Sequence, residues 1–136
     1  MTPEPLPKIR RAQLKDVHPI HLLILDATKR GKILKRSTRE ITKNIHHFWV
    51  LEKNKNIVGC CALEIYNKKL AEIRSLSIHA EEQKKGLASL LVQRCVAEAK
   101  KKKVYEVFAI TNRENLFKRA GFSEQLHDQK PLFLRP

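Results

Sequence analysis

The sequence predicts a single mixed α/β domain in which an antiparallel meander of strands is followed by a strand-helix-strand unit. Three observations support this fold class. The chain has 136 residues, apolar side chains make up 42% of them, and their spacing changes from strand-like to helix-like at Gly86. A chain of this length is typical of one domain. Strand faces alternate every residue and helix faces repeat about every 3.6 residues, so the change of spacing marks a strand-to-helix junction.

One strand and two helices open the predicted domain, after a flexible tail at residues 1–7. Asp16 is a predicted N-cap, because a short polar side chain accepts hydrogen bonds from the free N–H groups of a first helical turn. Gly31 suits the residue after a helix. Ser37 and Glu40, three positions apart, are predicted to form a capping box that begins the second helix.

Polar turns at residues 53–56 and 67–69 separate three β-prone segments, which is the pattern of an antiparallel meander. A helix then begins at Gly86, and a buried strand and a short helix that ends before Gly121 follow it. The predicted order is β-α-α-β-β-β-α-β-α-β. The predicted strands are residues 8–12, 47–52, 57–66, 70–78 and 104–110 and a last one from Phe122; the predicted helices are residues 16–31, 37–45, 86–103 and 111–120.

Charge and composition limit the classes of function. The net charge is +14, from 28 basic and 14 acidic side chains, and such an excess attracts anionic ligands. No apolar stretch approaches the length of about 18 residues that a membrane span needs. The first residues lack the pattern of a secretory signal. The sequence therefore predicts a cytoplasmic protein without a membrane partner, and a homodimer is compatible with it.

The three cysteines are expected to be reduced and buried. Cys60, Cys61 and Cys95 all lie among apolar residues, where cysteine acts as a small hydrophobic side chain. Cys60 and Cys61 are neighbours in a predicted strand, so their side chains point to opposite faces. No metal site is predicted.

The junction at residues 76–89 carries the clearest chemical signal. A strand ends in Leu76-Ser77-Ile78, a polar loop follows, and a helix begins at Gly86. A helix N-terminus presents unpaired N–H groups and the positive end of the helix dipole, so it binds phosphate well. Gly86 allows close approach of the backbone, Ala88 leaves room for an anion, and Lys84 and Lys85 add charge. The alternative is an ordinary strand-to-helix turn that contains a glycine.

The string Gln83-x-x-Gly86-x-Ala88 after this strand resembles the pyrophosphate-binding motif of the GNAT superfamily of acetyl-CoA-dependent N-acetyltransferases. The order of elements is similar to that of the superfamily over nearly the whole chain. Short, stand-alone N-acetylglutamate synthase-like members are the most similar. That likeness rests on Leu34-Lys35-Arg36-Ser37 before Glu40-Ile41, Val58-Gly59-Cys60-Cys61-Ala62-Leu63, Ala71-Glu72-Ile73-Arg74-Ser75-Leu76 and Phe117-Lys118-Arg119-Ala120-Gly121-Phe122.

The resemblance implies how acetyl-CoA is bound. Backbone amides of residues 83–89 would hold the pyrophosphate, and the strand edge at residues 76–78 would pair with the pantetheine arm, much as an added strand pairs with a sheet edge. A splay between strands 70–78 and 104–110 would admit that arm. The implied cofactor-binding residues are Leu76, Ser77, Ile78, Gln83, Lys84, Lys85, Gly86, Leu87, Ala88, Ser89, Asn112 and Phe117.

The resemblance also suggests the catalytic base. Amine acetylation requires a neutral amine, so a base must remove a proton from the ammonium group. Glu72, in the central strand, is the candidate; the alternatives are that it only pairs with Arg74 or that Glu64 is the base. Many members of the superfamily have a tyrosine at the position of Phe117, and that tyrosine protonates the leaving thiol. A thiol has a pKa of about 8.5, so water or Tyr105 would suffice for the leaving group.

Two arginines are candidates for binding the acceptor. Arginine grips carboxylates with two parallel hydrogen bonds. Arg74 lies two residues after Glu72, on the same strand face, and Arg36 precedes the second helix, where superfamily members line the acceptor site. The alternative for Arg36 is a solvated surface charge. Together with the subfamily likeness, these residues favour an amino acid such as glutamate, the acceptor used in arginine biosynthesis.

Two other functions remain open. An acetyltransferase acting on a protein lysine, a peptide or a polyamine would keep the chemistry, although the net charge of +14 disfavours a polycationic acceptor. A nucleic-acid-binding module would fit the charge, but the chain lacks a recognition motif and aromatic residues are only 6% of it. Residues 129–136 also differ from the longer, cysteine-containing end of the synthase-like members, which leaves the acceptor identity open.

Overall fold

Five strands form one sheet in the computed structural model, which describes residues 6–31 and 35–136. Residues 1–5 of the predicted tail and Leu34 of a resembling string lie outside these ranges. The strands stand in sequence order across the sheet. They are β1 (Lys8–Arg11), β2 (Phe48–Lys53), β3 (Asn56–Ile65), β4 (Leu70–Ile78) and β5 (Glu106–Phe108). The first four pair antiparallel and β5 pairs parallel to β4, so the predicted fold class is confirmed.

Four helices cover the two faces of the sheet. They are α1 (Val17–Lys29), α2 (Thr38–Lys43), α3 (Leu87–Lys101) and α4 (Glu114–Arg119). The alternation of strand residues creates two cores, and Cys60 lies in the one under α1 and α2 while Cys61 lies in the one under α3, as predicted. Each fully buried large apolar side chain contributes about 1.5–3 kcal/mol. None of the helices in the described ranges has the length and apolarity that a bilayer crossing requires.

The predicted helix ends are confirmed at two places. The Ser37 side chain accepts a hydrogen bond from the Glu40 N–H at 3.1 Å, which confirms the predicted N-cap. The Glu40 carboxylate meets the Ser37 hydroxyl at 3.4 Å instead of the Ser37 N–H, so only this half of the predicted capping box is formed in the described residues. Gly31 has a φ of 70° two residues after the end of α1, and its N–H donates to the Thr28 carbonyl. Both ends therefore follow from the local chemistry of one or two residues.

The Asp16 side chain does not cap α1, although Asp16 is the residue that precedes it. A 3-10 turn at Leu14–Asp16 comes first, and the Asp16 carboxylate accepts the Gln13 N–H at 2.7 Å. The same carboxylate accepts two hydrogen bonds from Arg10 at 2.8 and 3.0 Å. Asp16 is only 3% exposed. The buried ion pair ties β1 to the start of α1 and replaces the predicted cap.

Asp16→Asn is expected to destabilise the fold by about 2 kcal/mol, because it removes the charge of a buried carboxylate that accepts hydrogen bonds from Arg10, while Arg10 keeps its ion pair with Glu52 at 3.2 Å. Urea unfolding measures this loss. Asp26→Asn is the matched control: its carboxylate pairs with Arg30 at the surface, and such pairs contribute at most about 1 kcal/mol. Equal losses in the two variants would contradict a structural role for the buried pair.

The same comparison has a defined dependence on pH. Burial alone raises the pKa of Asp16, but the hydrogen bonds from Arg10 and from the Gln13 N–H outweigh it and hold the pKa below its ordinary value. A carboxyl with a depressed pKa in the folded state stabilises above the unfolded pKa, which is about 3.9. The advantage of the natural chain over Asp16→Asn is therefore full at neutral pH and shrinks as the pH falls below about 4.

The predicted last strand is wrong. In the described chain after α4, the only ladder contact is one isolated bridge between Leu126 and Gln129. Phe122 instead completes the end of α4: its N–H donates to the Phe117 carbonyl, and Gly121, with a φ of 99°, donates to the Lys118 carbonyl. This is a Schellman motif, with the Phe117 and Phe122 rings packed edge to face at 5.2 Å.

Candidate active site

A β-bulge shapes the end of β4. Cys60 lies opposite Ser77 and Ala62 lies opposite Arg74, so Ser75 and Leu76 together face the single residue Cys61. Ser75 has a φ of 58°, a left-handed conformation that costs a non-glycine residue about 1–2 kcal/mol. A bulge of this kind bends its strand and increases the twist. It therefore turns the last residues of β4 away from the plane of the sheet.

The bend coincides with an opening between β4 and β5. The two strands pair only between Leu70–Glu72 and residues 106–108. From Ile73 to Ile78, no strand in the described part of the chain pairs with the outer edge of β4. The edge offers backbone groups to an extended ligand, and the predicted splay is present. Leu76 on this edge is half-buried, and Ser77 and Ile78 are buried.

The N-terminus of α3 faces no capping side chain. Gly86 is its N-cap with φ 78° and ψ 9°, and no side chain bonds to the first-turn N–H groups. Leu87 and Ala88 are buried, which anchors a helix of 15 residues. A left-handed N-cap position favours glycine, and the free N–H groups with the helix dipole form an anion site. The residues present therefore fit the pyrophosphate of acetyl-CoA.

Hydrogen bonds fix the loop between β4 and α3. The Gln83 side-chain amide donates to the Ile78 carbonyl at 3.3 Å, so Gln83 ties the loop to the end of the strand. Glu82 accepts hydrogen bonds from Lys53 at 2.9 Å and from Lys85 at 3.0 Å, and these bonds lower the pKa of its carboxyl. Lys84 is exposed with a φ of 65°. Lys85 thus forms an ion pair with Glu82, and Lys84 is exposed to solvent.

Two other predicted cofactor residues lie in or just before α4. Asn112 is exposed in the segment before α4, and Phe117 is 5% exposed within that helix. Phe117 packs edge to face against Phe122 and belongs to the core under α3. Tyr105 is 70% exposed, and its N–H donates to the Lys68 carbonyl, which places it beside the β3–β4 turn. The roles of these residues toward the cofactor remain predictions.

Four charged side chains predicted from the sequence meet on the α1–α2 face of β3 and β4. Glu64 Oε2 accepts a hydrogen bond from Arg74 Nη1 at 2.7 Å and lies 3.8 Å from Arg36 Nη2. Arg74 Nε lies 3.8 Å from Glu72 Oε1. We call Arg36, Glu64, Glu72 and Arg74 the charged cluster. Glu72 and Arg74 share a strand face, as their spacing of two predicts.

Arg36 is the most unusual member of the charged cluster. It is 7% exposed, and its guanidinium makes no hydrogen bond to any residue that the structure describes; Glu64 is its nearest acid. Burial, and then the neighbouring charge of Arg74, hold the pKa of Arg36 below its ordinary value. In Arg74, burial lowers the pKa, but the hydrogen bond to Glu64 and the charges of Glu72 and Glu64 outweigh it and the pKa is raised. The prediction of a solvated surface charge does not describe Arg36.

Sequence reasoning missed Tyr66. Its hydroxyl donates a hydrogen bond of 2.6 Å to Glu72 Oε1, so it contacts the predicted base directly. Tyr66 lies two residues after Glu64, and that spacing places both side chains on one strand face. This spacing was the signal in the sequence that could have predicted that Tyr66 lies beside Glu64. Which carboxylate the hydroxyl reaches depends on the register between β3 and β4, and the local sequence does not show it.

No group of three His, Cys, Asp or Glu side chains that would suit a metal ion occurs within residues 6–31 and 35–136.

Comparison with known proteins assigns the family. The family profile of the acetyltransferase (GNAT) domain matches residues 44–124. An uncharacterized N-acetyltransferase of Chlorobaculum tepidum is 38% identical over 116 residues, which cover 85% of this chain and 75% of that protein. An amino-acid acetyltransferase of Vibrio atlanticus is 27% identical over 127 residues, 92% of this chain, and the match spans only 28% of that protein's length.

Solved structures agree. A Mycobacterium tuberculosis protein in complex with CoA has a TM-score of 0.82 at 28% identity, covering 88% of this chain and 74% of that one. N-acetylglutamate synthase of Neisseria gonorrhoeae, complexed with coenzyme A and N-acetyl-glutamate, has a TM-score of 0.83 at 27% identity, covering 96% of this chain and 31% of that one. Because the profile covers more than half of the chain and a relative is 38% identical over 85% of it, the chain belongs to the GNAT family and is an acetyl-CoA-dependent N-acetyltransferase.

Proposed function

We propose that this enzyme acetylates the amino group of a small amino acid with more than one carboxylate, such as glutamate. The observation that carries the proposal is the state of Arg36. A guanidinium has five N–H donors in a fixed fork that matches a carboxylate, and the nearest carboxylate oxygen in the cluster, Glu64 Oε2, lies 3.8 Å away, beyond hydrogen-bond distance. Arg36 is buried, with a relative exposure of 7%, and it makes no hydrogen bond to a described residue. An incoming carboxylate would supply those bonds.

The charge of the cluster supports the same acceptor. Arg36 and Arg74 face Glu64 and Glu72, and Glu64 is already bonded to Arg74 at 2.7 Å. When Glu72 takes up a proton during the reaction, the cluster carries two cations and one anion. Such a site attracts a carboxylate and repels a polyamine or a lysine-rich peptide. The relatives named as amino-acid acetyltransferases and N-acetylglutamate synthase are consistent with this acceptor.

Each residue of the site has a distinct role in the proposed reaction. Glu72 takes a proton from the acceptor ammonium, which leaves a neutral amine. N–H groups of residues 86–89 hold the pyrophosphate, and the edge of β4 from Leu76 to Ile78 holds the pantetheine arm. Bound acetyl-CoA supplies the acetyl group as a thioester. Arg36 and Arg74 orient the acceptor carboxylates, so that its amine lies toward β4.

A panel of acceptors tests the substrate class. Release of free thiol from acetyl-CoA is measured with glutamate, aspartate, glutamine, a lysine peptide and spermidine at equal concentrations. Glutamate or another dicarboxylic amino acid is expected to give the highest kcat/KM. Turnover confined to the peptide or to spermidine would transfer the assignment to a protein lysine or polyamine acetyltransferase. Glutamate turnover would support a role in arginine biosynthesis.

Arg36→Gln is expected to raise the KM for glutamate about 30-fold, because a charged hydrogen bond contributes about 2 kcal/mol. The KM for acetyl-CoA is expected to stay within about twofold, since Arg36 and the N-terminus of α3 belong to different parts of the site. Initial rates over a grid of both substrates measure the two constants. Arg39→Gln, an exposed arginine of α2, is the matched control, and an equal rise of KM there would contradict a specific role for Arg36.

A further inference from the structure

Tyr66 holds one oxygen of Glu72 with a short hydrogen bond. The distance from its Oη to Glu72 Oε1 is 2.6 Å, in the range of bonds between a hydroxyl and a charged carboxylate. Partial burial, and then the bond and charge of Glu72, raise the pKa of Tyr66 to about 12. The phenol therefore keeps its proton through the neutral range. In this pair Tyr66 is the donor and Glu72 the acceptor.

The ring and backbone of Tyr66 are held in place. Its ring stacks on Phe108 of β5, with centroids 6.4 Å apart and planes 24° from parallel. Its N–H donates to the Leu70 carbonyl at 3.0 Å, which closes the turn between β3 and β4. Phe108 also lies opposite Glu72 in the register of β4 and β5. The hydroxyl is thus presented from a fixed platform that spans three strands.

The closest contacts of Glu72 are made by one of its two carboxylate oxygens, Oε1. Both close groups, the Tyr66 hydroxyl and Arg74 Nε at 3.8 Å, approach Oε1. Oε2 accepts no hydrogen bond from the residues described, whereas Oε1 accepts the bond from Tyr66. The Glu72 side chain is 12% exposed, so its orientation decides which oxygen an acceptor meets. Anchoring Oε1 leaves Oε2 to receive the proton.

We propose that Tyr66 is a positioning residue that fixes the carboxylate of Glu72 so that Oε2 takes the proton of the acceptor ammonium. This inference rests on the proposed role of Glu72 as the base. One proton moves, from the acceptor nitrogen to Oε2, and Tyr66 keeps its own proton throughout.

Kinetics of Tyr66→Phe test the inference, since this change removes the hydroxyl and keeps the ring on Phe108. We expect kcat to fall about tenfold, which corresponds to about 1.4 kcal/mol, with the KM for acetyl-CoA unchanged. In the Glu72→Gln background the same change is expected to alter kcat less than about twofold, because residues acting as one unit are not additive. Thermal unfolding midpoints confirm that every variant is folded.

A spectroscopic titration tests the hydrogen bond without any turnover. The chain has two tyrosines, so in Tyr105→Phe the phenolate absorbance reports Tyr66 alone. At about pH 11, above the ordinary tyrosine pKa of about 10, Tyr66 is expected to remain mostly protonated. Adding Glu72→Gln is expected to increase the phenolate signal clearly. Circular dichroism at each pH checks that the chain is folded.

The kinetic and spectroscopic experiments together distinguish the ways in which the inference could be wrong. An unchanged phenolate titration after Glu72→Gln overturns the Tyr66–Glu72 bond and with it the inference. If the titration changes and Tyr66→Phe retains full kcat, the bond exists and positioning is refuted. If Tyr66→Phe lowers kcat equally with and without Glu72, Tyr66 acts elsewhere and the inference is wrong. Full kcat in Glu72→Gln removes the proposed base, whatever the titration shows.

Discussion

Glu72→Gln is expected to lower kcat for acetyl transfer about a thousandfold, within the range that a general base contributes. The amide cannot take the proton of the acceptor ammonium, while its shape and its place beside Tyr66 and Arg74 are preserved. The Kd of acetyl-CoA is expected to stay within about twofold, because the pyrophosphate site lies at the N-terminus of α3. Initial rates give kcat, and titration calorimetry gives the Kd.

Glu64→Gln is the control for this experiment and represents the alternative base. The Glu64 carboxylate is bonded to Arg74 at 2.7 Å and lies beside Arg36, so it organises the two arginines. Its loss is expected to raise the KM for the acceptor more than it lowers kcat. A thousandfold fall of kcat in Glu64→Gln with a small fall in Glu72→Gln would make Glu64 the base. An equal loss of cofactor affinity in Glu72→Gln would contradict its assignment.

Local sequence chemistry predicted the elements that later form the site. Gly86 with the small residues after it marks the start of α3, Ser37 with Glu40 marks the start of α2, and the polar turns mark the meander. Each signal depends on side chains within about four residues of one another, and capping and turn geometry act over that range. The start of α3 after Gly86 is therefore among the features that sequence reasoning placed best.

The errors at strand ends have one physical cause. Val104 and Phe122 were predicted to begin strands, but each is the third residue after the last residue of a helix. Val104 N–H donates to Ala99 and Phe122 N–H donates to Phe117, the long bond of a Schellman motif. That motif favours an apolar residue at this position, as a strand start does. The signal is the same for both structures, and only tertiary pairing distinguishes them.

The charged cluster shows what the local sequence did not predict, which is the pairing of side chains across strands. The spacing of Glu72 and Arg74 places them on one face, but the pairing of Arg74 with Glu64 and of Tyr66 with Glu72 depends on the register between β3 and β4. The bulge at Ser75 shifts that register by one residue, and its left-handed conformation is unusual for serine. The bulge contains no glycine from which the sequence could have predicted it. Partners across strands therefore required the structure.

Ser89→Asp is expected to weaken acetyl-CoA binding about a hundredfold or more while leaving the free protein at least as stable. Ser89 is the third residue of α3 after its N-cap Gly86. An aspartate there interacts favourably with the helix dipole, by about 0.3–1 kcal/mol. The same carboxylate would occupy the free N–H groups and repel the pyrophosphate, and like charges placed together cost several kcal/mol.

Calorimetry with coenzyme A and thermal unfolding without ligand measure the two effects of Ser89→Asp. Ser89→Asn is the matched control, because asparagine has the shape of aspartate without its charge, and it is expected to lose less than about tenfold in affinity. Excess coenzyme A stabilises a protein in proportion to its affinity, so it is expected to raise the unfolding midpoint of Ser89→Asn and not of Ser89→Asp. Equal affinities in the two variants would place the pyrophosphate away from the N-terminus of α3.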